Sequence, residues 1–510
     1  MPRFLVRATL VAASLCATVA TQAQTAARTA AAPAVMISPD KPFALEEAIA
    51  LALAKNFNLQ IQGITVDNSK ENVAIQEAGF DPTFNASINR NLSQQASTTS
   101  RLDGTATTGP RNDNTTFRAG ATLPRITATN ATVSLNTAAS RGATNSINSL
   151  FNPAYNNSLS ANITQPLMRD FGRQAALATL ENAKLAFGIA TIGYKSNVLT
   201  LIANTENSYY NVVAARETLR IRQLSLESAQ RLFQENQARR QTGTMTDLDV
   251  LGAEVGVARS RNALVQQEQT VRDAEENLLN LINSPNLEVR PGPMAFEQYR
   301  DPAPNFAQSY KLARDFYPER LSAEQTLKQL EINLETARRN TKPDLDLNAS
   351  LGYTARTSNQ GYGDAIGNLP NDHGNNWAVG VSYTVPWGQR ADKARYRQAT
   401  NNVSSQKIRL EQLEQQLQVD VRSAVRAIET NLVSVDIAAK GTELATRQYE
   451  LQKARFDNGL STSRIVLQFQ DDLEAARVTE LNAKLALRRS VSTLRRLEGT
   501  SLQRFKVEVP

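Results

Sequence analysis

Apolar residues in the second half of the chain recur every three or four positions over an unusually long distance. The members of this stripe are Leu410, Leu413, Leu417, Val421, Ala424, Ile428, Leu432 and Val435. Their mean spacing is close to the ~3.6 residues of one helical turn, so the stripe stays on one face of a nearly straight helix. Glu, Gln, Arg and Asp occupy the other faces. The pattern therefore predicts a long amphipathic α-helix.

Two proline-free stretches are long enough to be helices of unusual length. They are Arg173–Gln241 and Gln389–Asn458. A helix of about 70 residues is roughly 100 Å long, whereas a globular helix averages about 11–12 residues. Each stretch breaks at a glycine, Gly243 or Gly459, and a shorter proline-free stretch follows. The sequence predicts two helical hairpins, 173–283 and 389–498, although an ordinary solvated coiled coil would explain these regions on their own.

The hairpins belong to a larger internal duplication. A further helix is predicted upstream of each of them, at 42–79 and 305–341, and these two stretches are similar in sequence. The short arm of each hairpin covers only half of its long helix, so the upstream helix can cover the other half. The chain is therefore predicted to contain two structural repeats, 24–283 and 305–498. Each repeat consists of a short helix, strands, a long helix and a short helix.

Between the short and the long helices the apolar spacing changes to two. Predicted strands lie within 80–166 and 344–386, where apolar residues alternate with Asn, Ser, Thr and Gly. The clearest apolar series are Phe84, Ala86 and Ile88; Leu159, Ala161 and Ile163; Leu345, Leu347, Ala349, Leu351 and Tyr353; and Trp377, Val379, Val381, Tyr383 and Val385. Such strands suit a soluble sandwich, but about 9–11 residues is also the length that crosses a bilayer in a tilted barrel. A weaker pair, Phe117–Leu123 and Ala131–Thr137, lies in the first repeat.

The N-terminus has the features of a secretory signal peptide over residues 1–23. Arg3 and Arg7 precede an apolar run, and small residues precede a cleavage point after Ala23. Cys16, the only cysteine in the sequence, lies inside this segment, and Leu15 before it argues against lipidation. The mature chain shows no run of about 20 apolar residues, so we expect no transmembrane helix. Export together with barrel-like strands predicts a bacterial outer-membrane protein that extends into the periplasm.

The number of clear strands predicts oligomerisation. A barrel in a membrane has no free edges, and about eight strands is the practical minimum. The sequence offers four clear strands, so one copy cannot close a pore and several copies have to contribute strands. The long helices would then continue the strands as a tube on the periplasmic side.

The corners between strands and helices, and the turns between helices, resemble a known family. The corners are QPLMRDFGR, with Pro166 and Gly172, and VPWGQR, with Pro386 and Gly388. The turns are the glycine breaks, with Leu251 and Leu467 following at matching places. With the duplicated layout, these segments make the chain similar to the TolC-type outer membrane efflux protein family over essentially its whole mature length.

The resemblance implies a mainly helical fold built as a homotrimer. The three copies would share a 12-stranded transmembrane β-barrel in outer-membrane lipid and a periplasmic coiled-coil α-barrel. Segments 284–304 and 499–510 would supply an equatorial region. The family implies a passive channel of a tripartite efflux or type I secretion system, joined to an inner-membrane pump through a periplasmic adaptor protein. The extra strand pair departs from the family pattern and leaves open six strands per copy or a hairpin outside the barrel.

The helix tips are the predicted aperture of the channel. Family members often carry acidic residues just after the second glycine break, but Ile465 and Gln468 stand at those positions here. Asp249 is the acidic candidate in the first repeat, either lining the pore or capping a helix as part of Thr246-x-x-Asp249. Arg464 either leans into the lumen or lies solvated. The aperture candidates are Gly243, Asp247, Asp249, Gly459, Arg464 and Gln468.

Other chemistry is not indicated. The single histidine, His373, is predicted to lie in a surface loop without a His or Cys partner, so neither a metal site nor a cofactor site is expected. Asp471 and Asp472 suggest a solvated helix face. The net charge is +7, but the basic residues are dispersed among Glu and Gln along helices, which argues against nucleic acid as a partner. The alternative to a channel is a non-conducting exported coiled-coil stalk or envelope spacer, and an enzyme is the weakest prediction.

Overall fold

The computed structural model describes residues 41–94, 96, 109, 111–146, 149–284, 290–297, 304–358 and 374–507. The predicted signal peptide, with Cys16, lies outside the described residues, as do His373 and parts of both equatorial segments.

The described chain is mainly helical, with one sheet. The helices are α1 (Leu45–Lys55), α2 (Phe57–Ala78), α3 (Arg173–Gln241), α4 (Asp247–Leu281), α5 (Phe306–Phe316), α6 (Pro318–Asn340), α7 (Arg390–Asp457), α8 (Ser463–Glu498) and α9 (Thr500–Arg504). The strands are β1 (Thr83–Gln94), β2 (Arg111–Leu123), β3 (Thr132–Thr144), β4 (Ala154–Pro166), β5 (Asp344–Ser358) and β6 (Gly374–Thr384). The predicted fold class, long helical hairpins joined to a sheet with internal duplication, is confirmed.

The two long helices dominate the molecule, and the shorter helices pack along them. α3 has 69 residues and α7 has 68. The distal half of α3 packs on α4, and α1 and α2 cover the remaining part. α7 is covered in the same way by α8 and by α5 and α6. Each long helix is therefore partnered along its length by three shorter helices.

The upstream stretches 42–79 and 305–341 are not single helices, so that prediction was wrong. The first breaks at Asn56, whose extended backbone starts α2 and whose Oδ1 accepts a hydrogen bond from the Leu59 N–H at 3.1 Å. The second breaks at Tyr317, because Pro318 disfavours a helical conformation at the residue before it and begins a new helix instead. In both repeats the upstream stretch therefore packs on its long helix as two pieces.

The six strands form one antiparallel sheet in chain order, β1-β2-β3-β4-β5-β6. The weaker predicted pair is therefore part of the sheet: β2 and β3 pair with each other, β2 also pairs with β1, and β3 with β4. The pairing of β4 with β5 joins the two repeats. This chain thus contributes six strands to the sheet rather than four.

Three apolar clusters hold the described helices together. The first, around Ile49, Ile202 and Leu278, lies where α1 and the end of α4 meet α3. The second lies between α7, α8 and α5, around Val421 and Leu494. The third is small and lies at the tip of the hairpins, where Leu232, Phe456 and Val466 are buried together.

One described helix, α3, has the length and composition of a candidate membrane span. α3 contains an 18-residue window with a mean hydropathy of 1.3, and 22% of that window is buried in this chain. Length and composition are weak evidence on their own, because the core helix of a soluble protein meets the same two criteria.

Candidate functional site

The tips of the two hairpins are built by the same backbone turn. Gly243 and Gly459 follow α3 and α7 with φ of 75° and 77°, a conformation that glycine adopts without a Cβ clash. The N–H of Gly243 bonds to the Arg240 carbonyl at 2.9 Å, and the next N–H bonds to the Arg239 carbonyl at 2.9 Å. Equivalent bonds surround Gly459. This Schellman arrangement satisfies the last carbonyls of each long helix and reverses the chain.

The two tips differ in how the returning helix begins. α4 starts with the predicted capping box: the Asp249 N–H donates to Thr246 Oγ1 at 3.3 Å, and the Thr246 N–H donates to Asp249 Oδ2 at 3.2 Å. Asp247, also at this start, pairs with Arg240 of α3. α8 follows Thr462 without a side-chain cap, and its third and sixth residues are Ile465 and Gln468 rather than carboxylates. The first tip is therefore held by more side-chain contacts at the start of its returning helix than the second tip.

Arg239 joins the first hairpin to the second at the tips. Its Nη1 donates to the Phe456 carbonyl at 3.0 Å, and its guanidinium carbon lies 4.5 Å from the centre of the Phe456 ring. Its Nη2 lies 3.7 Å from Asp457 Oδ1. The Phe456 side chain is fully buried beneath this contact. Arg239 of α3 thus contacts the end of α7 through an ion pair, a cation–π contact and a hydrogen bond to the backbone.

Further along, three polar contacts join α8 to the first hairpin. Arg222 of α3 forms an ion pair with Glu474. The buried amide of Gln470 donates to the Ser225 carbonyl at 2.7 Å. Arg259 of α4 approaches Asp471 to 3.5 Å. Like the contacts of Arg239, these three contacts connect residues far apart in sequence, so no local sequence pattern predicted them.

Asp471 is less solvated than the sequence suggested. Burial raises the pKa of its carboxyl above the usual range, and nearby Asp472 raises it further, whereas Arg259 and Arg222 lower it. The contact between α4 and α8 therefore contains a carboxylate that takes up a proton more readily than an ordinary aspartate.

An open groove of about 680 Å³ lies between α4 and α8 next to the tips. It brings together three of the predicted aperture residues, Asp249, Arg464 and Gln468. Apolar side chains of α4 also line it, and they are largely exposed: Leu248 (76%), Leu251 (56%) and Val255 (53%). The other three predicted residues, Gly243, Asp247 and Gly459, do not line the groove and lie in the turns or at their edge.

At the other end of the long helices, the predicted corners redirect the chain from strand to helix. Pro166 ends β4, and Gly172, with φ of 90°, precedes α3 and donates its N–H to the Thr129 carbonyl at 3.3 Å. Pro386 precedes a short 3-10 turn in which Gly388 has φ of 75°. The positive φ values explain why glycine stands at both corners.

A cluster of buried charged and aromatic groups lies where α3 meets α8. Glu206 is only 2% exposed, and burial raises the pKa of its carboxyl, although nearby Ser492 and Arg495 lower it. Burial also raises the pKa of Tyr210 to about 12. The guanidinium of Arg488 lies 5.4 Å from the Tyr210 ring centre, and its Nη1 lies 3.9 Å from Glu297. Within the described residues, no group of three or more His, Cys, Asp or Glu side chains is placed to hold a metal ion.

The chain matches known proteins along most of its length. The family described as "Outer membrane efflux protein" matches residues 121–284 and 310–500. The "Pyoverdine export outer membrane protein OpmQ" of Pseudomonas aeruginosa is 28% identical over 355 residues, which are 67% of this chain and 70% of that protein. The "Outer membrane protein TolC" of Escherichia coli is 23% identical over 337 residues, 64% of this chain and 66% of that protein.

Solved structures show the same fold. The Campylobacter jejuni CmeC outer membrane channel superposes with a TM-score of 0.65 at 18% identity, covering 90% of this chain and 86% of that chain. The open state of the Neisseria gonorrhoeae MtrE outer membrane channel gives a TM-score of 0.61 at 20% identity, covering 89% and 88%. The family match, the relatives and the shared fold agree. This chain belongs to the outer membrane efflux protein family and is an outer-membrane efflux channel that extends into the periplasm.

Proposed function

We propose that three copies of this chain form one passive conduit, which is closed at rest where the helix tips converge. An energised inner-membrane pump delivers the substrate, and a periplasmic adaptor joins the pump to the tips. The single observation that supports this best is the set of contacts between the two hairpins at the tips. They hold α7 and α8 against α3 and α4 without a large apolar core, so they can be broken at small cost.

Opening requires the second hairpin to move away from the first. Arg239 then loses its contacts with Phe456 and Asp457, and α8 loses Arg222, Ser225 and Arg259. The three ion pairs among these contacts are partly exposed, and such pairs contribute only about 0–1 kcal/mol each. A partner that binds the tips can therefore supply the free energy of opening.

The groove between α4 and α8 is the proposed adaptor site. Its exposed leucines and valine offer apolar surface, and Arg464, Gln468 and Asp249 offer polar contacts beside it. A helical tip of an adaptor that carries small apolar and polar residues fits such a groove, because helix-in-groove recognition uses apolar anchors with a polar rim. Leu251→Asp is expected to abolish binding of the cognate adaptor, while Leu444→Asp, an exposed leucine of α7 outside the groove, leaves it unchanged. Equal adaptor binding by both variants would show that the adaptor does not dock in this groove.

The resting closure is tested by removing Arg239. We expect Arg239→Ala to raise the single-channel conductance of the purified protein in a planar bilayer several-fold, because the contact between α3 and α7 is lost. The matched control is Arg231→Ala, since the exposed Arg231 pairs with Glu227 inside its own helix. Cells that carry Arg239→Ala should also become more sensitive to large antibiotics.

Two results would contradict the proposal. Unchanged conductance in a correctly assembled Arg239→Ala variant would show that the contacts at the tips do not keep the channel closed at rest. A well-folded protein that conducts in neither form would favour the stalk or spacer instead of a channel.

A further inference from the structure

We infer that the membrane wall of this channel takes six strands from each copy, 18 in the trimer, and encloses a lumen wider than a 12-stranded barrel. The inference rests on the proposed trimer. It follows from the position of β2 and β3 in the sheet, from the faces of all six strands and from the two open edges.

One face of the sheet is apolar across every strand. The register places Phe84 opposite Ala121, Ala121 opposite Leu135, and Leu135 opposite Ala161. The same row continues through Leu351 to Trp377. β2 and β3 thus carry this face without interruption between the strands that the sequence predicted most clearly. A hairpin that lay outside the membrane in water would not need such a face.

The charges on the apolar face lie at one end of the sheet. Arg90, Arg111, Asp113 and Arg141 are all near the ends of their strands that face away from the long helices. Arg90 and Asp113 form an ion pair at 2.8 Å between β1 and β2. Between this row and the helices the apolar face of the described strands carries no charged residue. A band of this kind, with charge confined to the outer rim, is what contact with lipid requires.

Aromatic side chains mark both limits of the band. Along their own strands, Phe84 and Tyr383 lie next to the end that adjoins the helices, while Tyr353 and Trp377 lie nearer the far end, because the register shifts from strand to strand across the tilted sheet. Phe84 and Trp377 are 81% and 75% exposed, although they are large apolar groups. Transmembrane barrels carry aromatic girdles at both interfaces, so these positions fit the two surfaces of a bilayer.

The sheet has two open edges, and a second copy of the chain is their proposed occupant. β1 and β6 each pair with one neighbour only, and every residue in both is exposed. Unpaired backbone groups at an edge are not tolerated in lipid, so both edges have to be paired. Six strands fall below the practical minimum of about eight for a closed barrel. Pairing β1 of one copy with β6 of the next removes all edges at once.

The six strands determine the size of the lumen. With strands about 4.8 Å apart and tilted by about 40°, the backbone radius is roughly 12 Å for 12 strands and roughly 18 Å for 18. In the described strands, the polar face that would line this lumen consists of Asn, Ser, Thr, Gly and Ala, apart from Pro166 at the end of β4 and four charged residues. These are Arg118, Asp344, Asp346 and Arg356, two of each sign. A wide wall of balanced charge suits bulky hydrophilic solutes more than one type of ion.

The test is a distance measurement between equivalent positions of the trimer. Leu159 lies in the middle of β4. If the predicted signal peptide is removed, Leu159→Cys introduces the only thiol of the mature protein, and a spin label can be attached there selectively. In a threefold barrel the Cα–Cα separation is √3 times the radius, about 31 Å for 18 strands and about 21 Å for 12, and a label on the lipid-facing side lengthens both values by the same amount. Pulsed electron paramagnetic resonance in nanodiscs should give the longer value. A trimer with the shorter value would overturn this inference but leave the proposed function standing.

A second measurement tests β2 directly. Spin labels at Phe117→Cys and Thr116→Cys should differ in accessibility. The label at position 117 should be accessible to oxygen dissolved in the lipid, and the label at position 116 to a water-soluble nickel reagent. Leu159→Cys and Ser158→Cys on β4 provide the matched control pair. Access of the nickel reagent to both β2 positions, with alternation on β4, would place the hairpin outside the wall and overturn the inference. A sample that proves monomeric by native mass would contradict the proposed trimer instead.

Discussion

At the scale of single residues, the tips depend on two glycines with positive φ. A Cβ added at Gly243 or Gly459 would meet no atom within 4 Å, so substitution there would change the backbone conformation alone. The cost of an alanine at these positions is therefore conformational rather than steric.

Gly459→Ala is expected to loosen the second tip without unfolding the protein. The left-handed conformation costs a residue with a Cβ about 1–2 kcal/mol. Hydrogen exchange should become faster for the last turn of α7 and the first turn of α8. Gly441→Ala, in the interior of α7 with open space around it, is the control and should slow exchange or leave it unchanged, since alanine favours a helix by about 0.5–1 kcal/mol. Faster exchange in both variants would contradict this account.

Glu206 is expected to destabilise the protein at neutral pH. Its pKa is raised in the folded state, so the folded protein binds the proton more tightly than the unfolded chain, whose pKa is about 4.3. Stability therefore falls as the pH rises from that value through the folded pKa. Glu206→Gln should raise the melting temperature at pH 7, measured by circular dichroism in detergent, and should reduce the loss of stability between pH 5 and pH 7. A lower melting temperature at pH 7 would mean that the carboxylate is stabilised by its arginine neighbours.

Local signals allowed some of these residues to be predicted, and others not. Glycine after a long helix and Thr-x-x-Asp before the next one are patterns within a few residues, and both turns have the expected geometry. Arg239 and Gln470 form their contacts with residues more than 200 positions away. Nothing in their own surroundings distinguishes them from the other arginines and glutamines on these helices.

At the scale of elements, Gly256 of α4 packs against Leu467 of α8. A Cβ there would lie 3.1 Å from a terminal methyl carbon of Leu467, whereas one at Gly252, a turn earlier, would meet nothing within 4 Å. Gly256→Val is therefore expected to push α8 away from α4 and to raise the conductance of the resting channel. Gly252→Val carries the same change of helix propensity and is the control, with conductance near the wild-type value. Equal conductance in the two variants would show that this contact does not hold the tip closed.

Acid is expected to loosen the same pair of helices through Asp471. Because the pKa of this carboxyl is raised, protonation begins at a higher pH than for an ordinary aspartate of about 3.9. The proton removes the charge that faces Arg259 on α4 and Arg222 on α3. Asp471→Asn should therefore show at neutral pH the higher conductance that the wild type reaches on acidification, and should lose that part of the pH response. An unchanged pH response in Asp471→Asn would assign it to another group.

The sequence predicted long elements better than their interruptions. The 69-residue α3 spans the predicted run because an apolar stripe and the absence of proline act together over its length. The break at Tyr317 was missed although Pro318 follows it, since the apolar pattern continues on both sides. β2 and β3 extend beyond the predicted pair, to Arg111 and Thr144, because pairing continues where charged residues at the outer rim interrupt the alternation.

At the scale of the whole molecule, duplication, export and strands of bilayer length were enough to predict the family and the outer-membrane location. The number of strands in the sheet was not predictable. Alternation shows that Phe117 and Leu135 face one way, but it does not show which strand lies next to β1. The register places β2 there, and the continuous apolar face then has two open edges. The proposed conduit depends on how copies of the chain close these edges.

Disulfide cross-linking between β1 and β6 tests that closure most directly. Ile88→Cys would be combined in turn with Val379→Cys, Val381→Cys and Tyr383→Cys, all on the apolar face, and the membrane-embedded protein would be oxidised. At least one combination is expected to yield covalent dimers and trimers, while each single variant yields at most a dimer. Folded, membrane-embedded protein that stays monomeric in every combination would contradict the joining of copies edge to edge into one conduit.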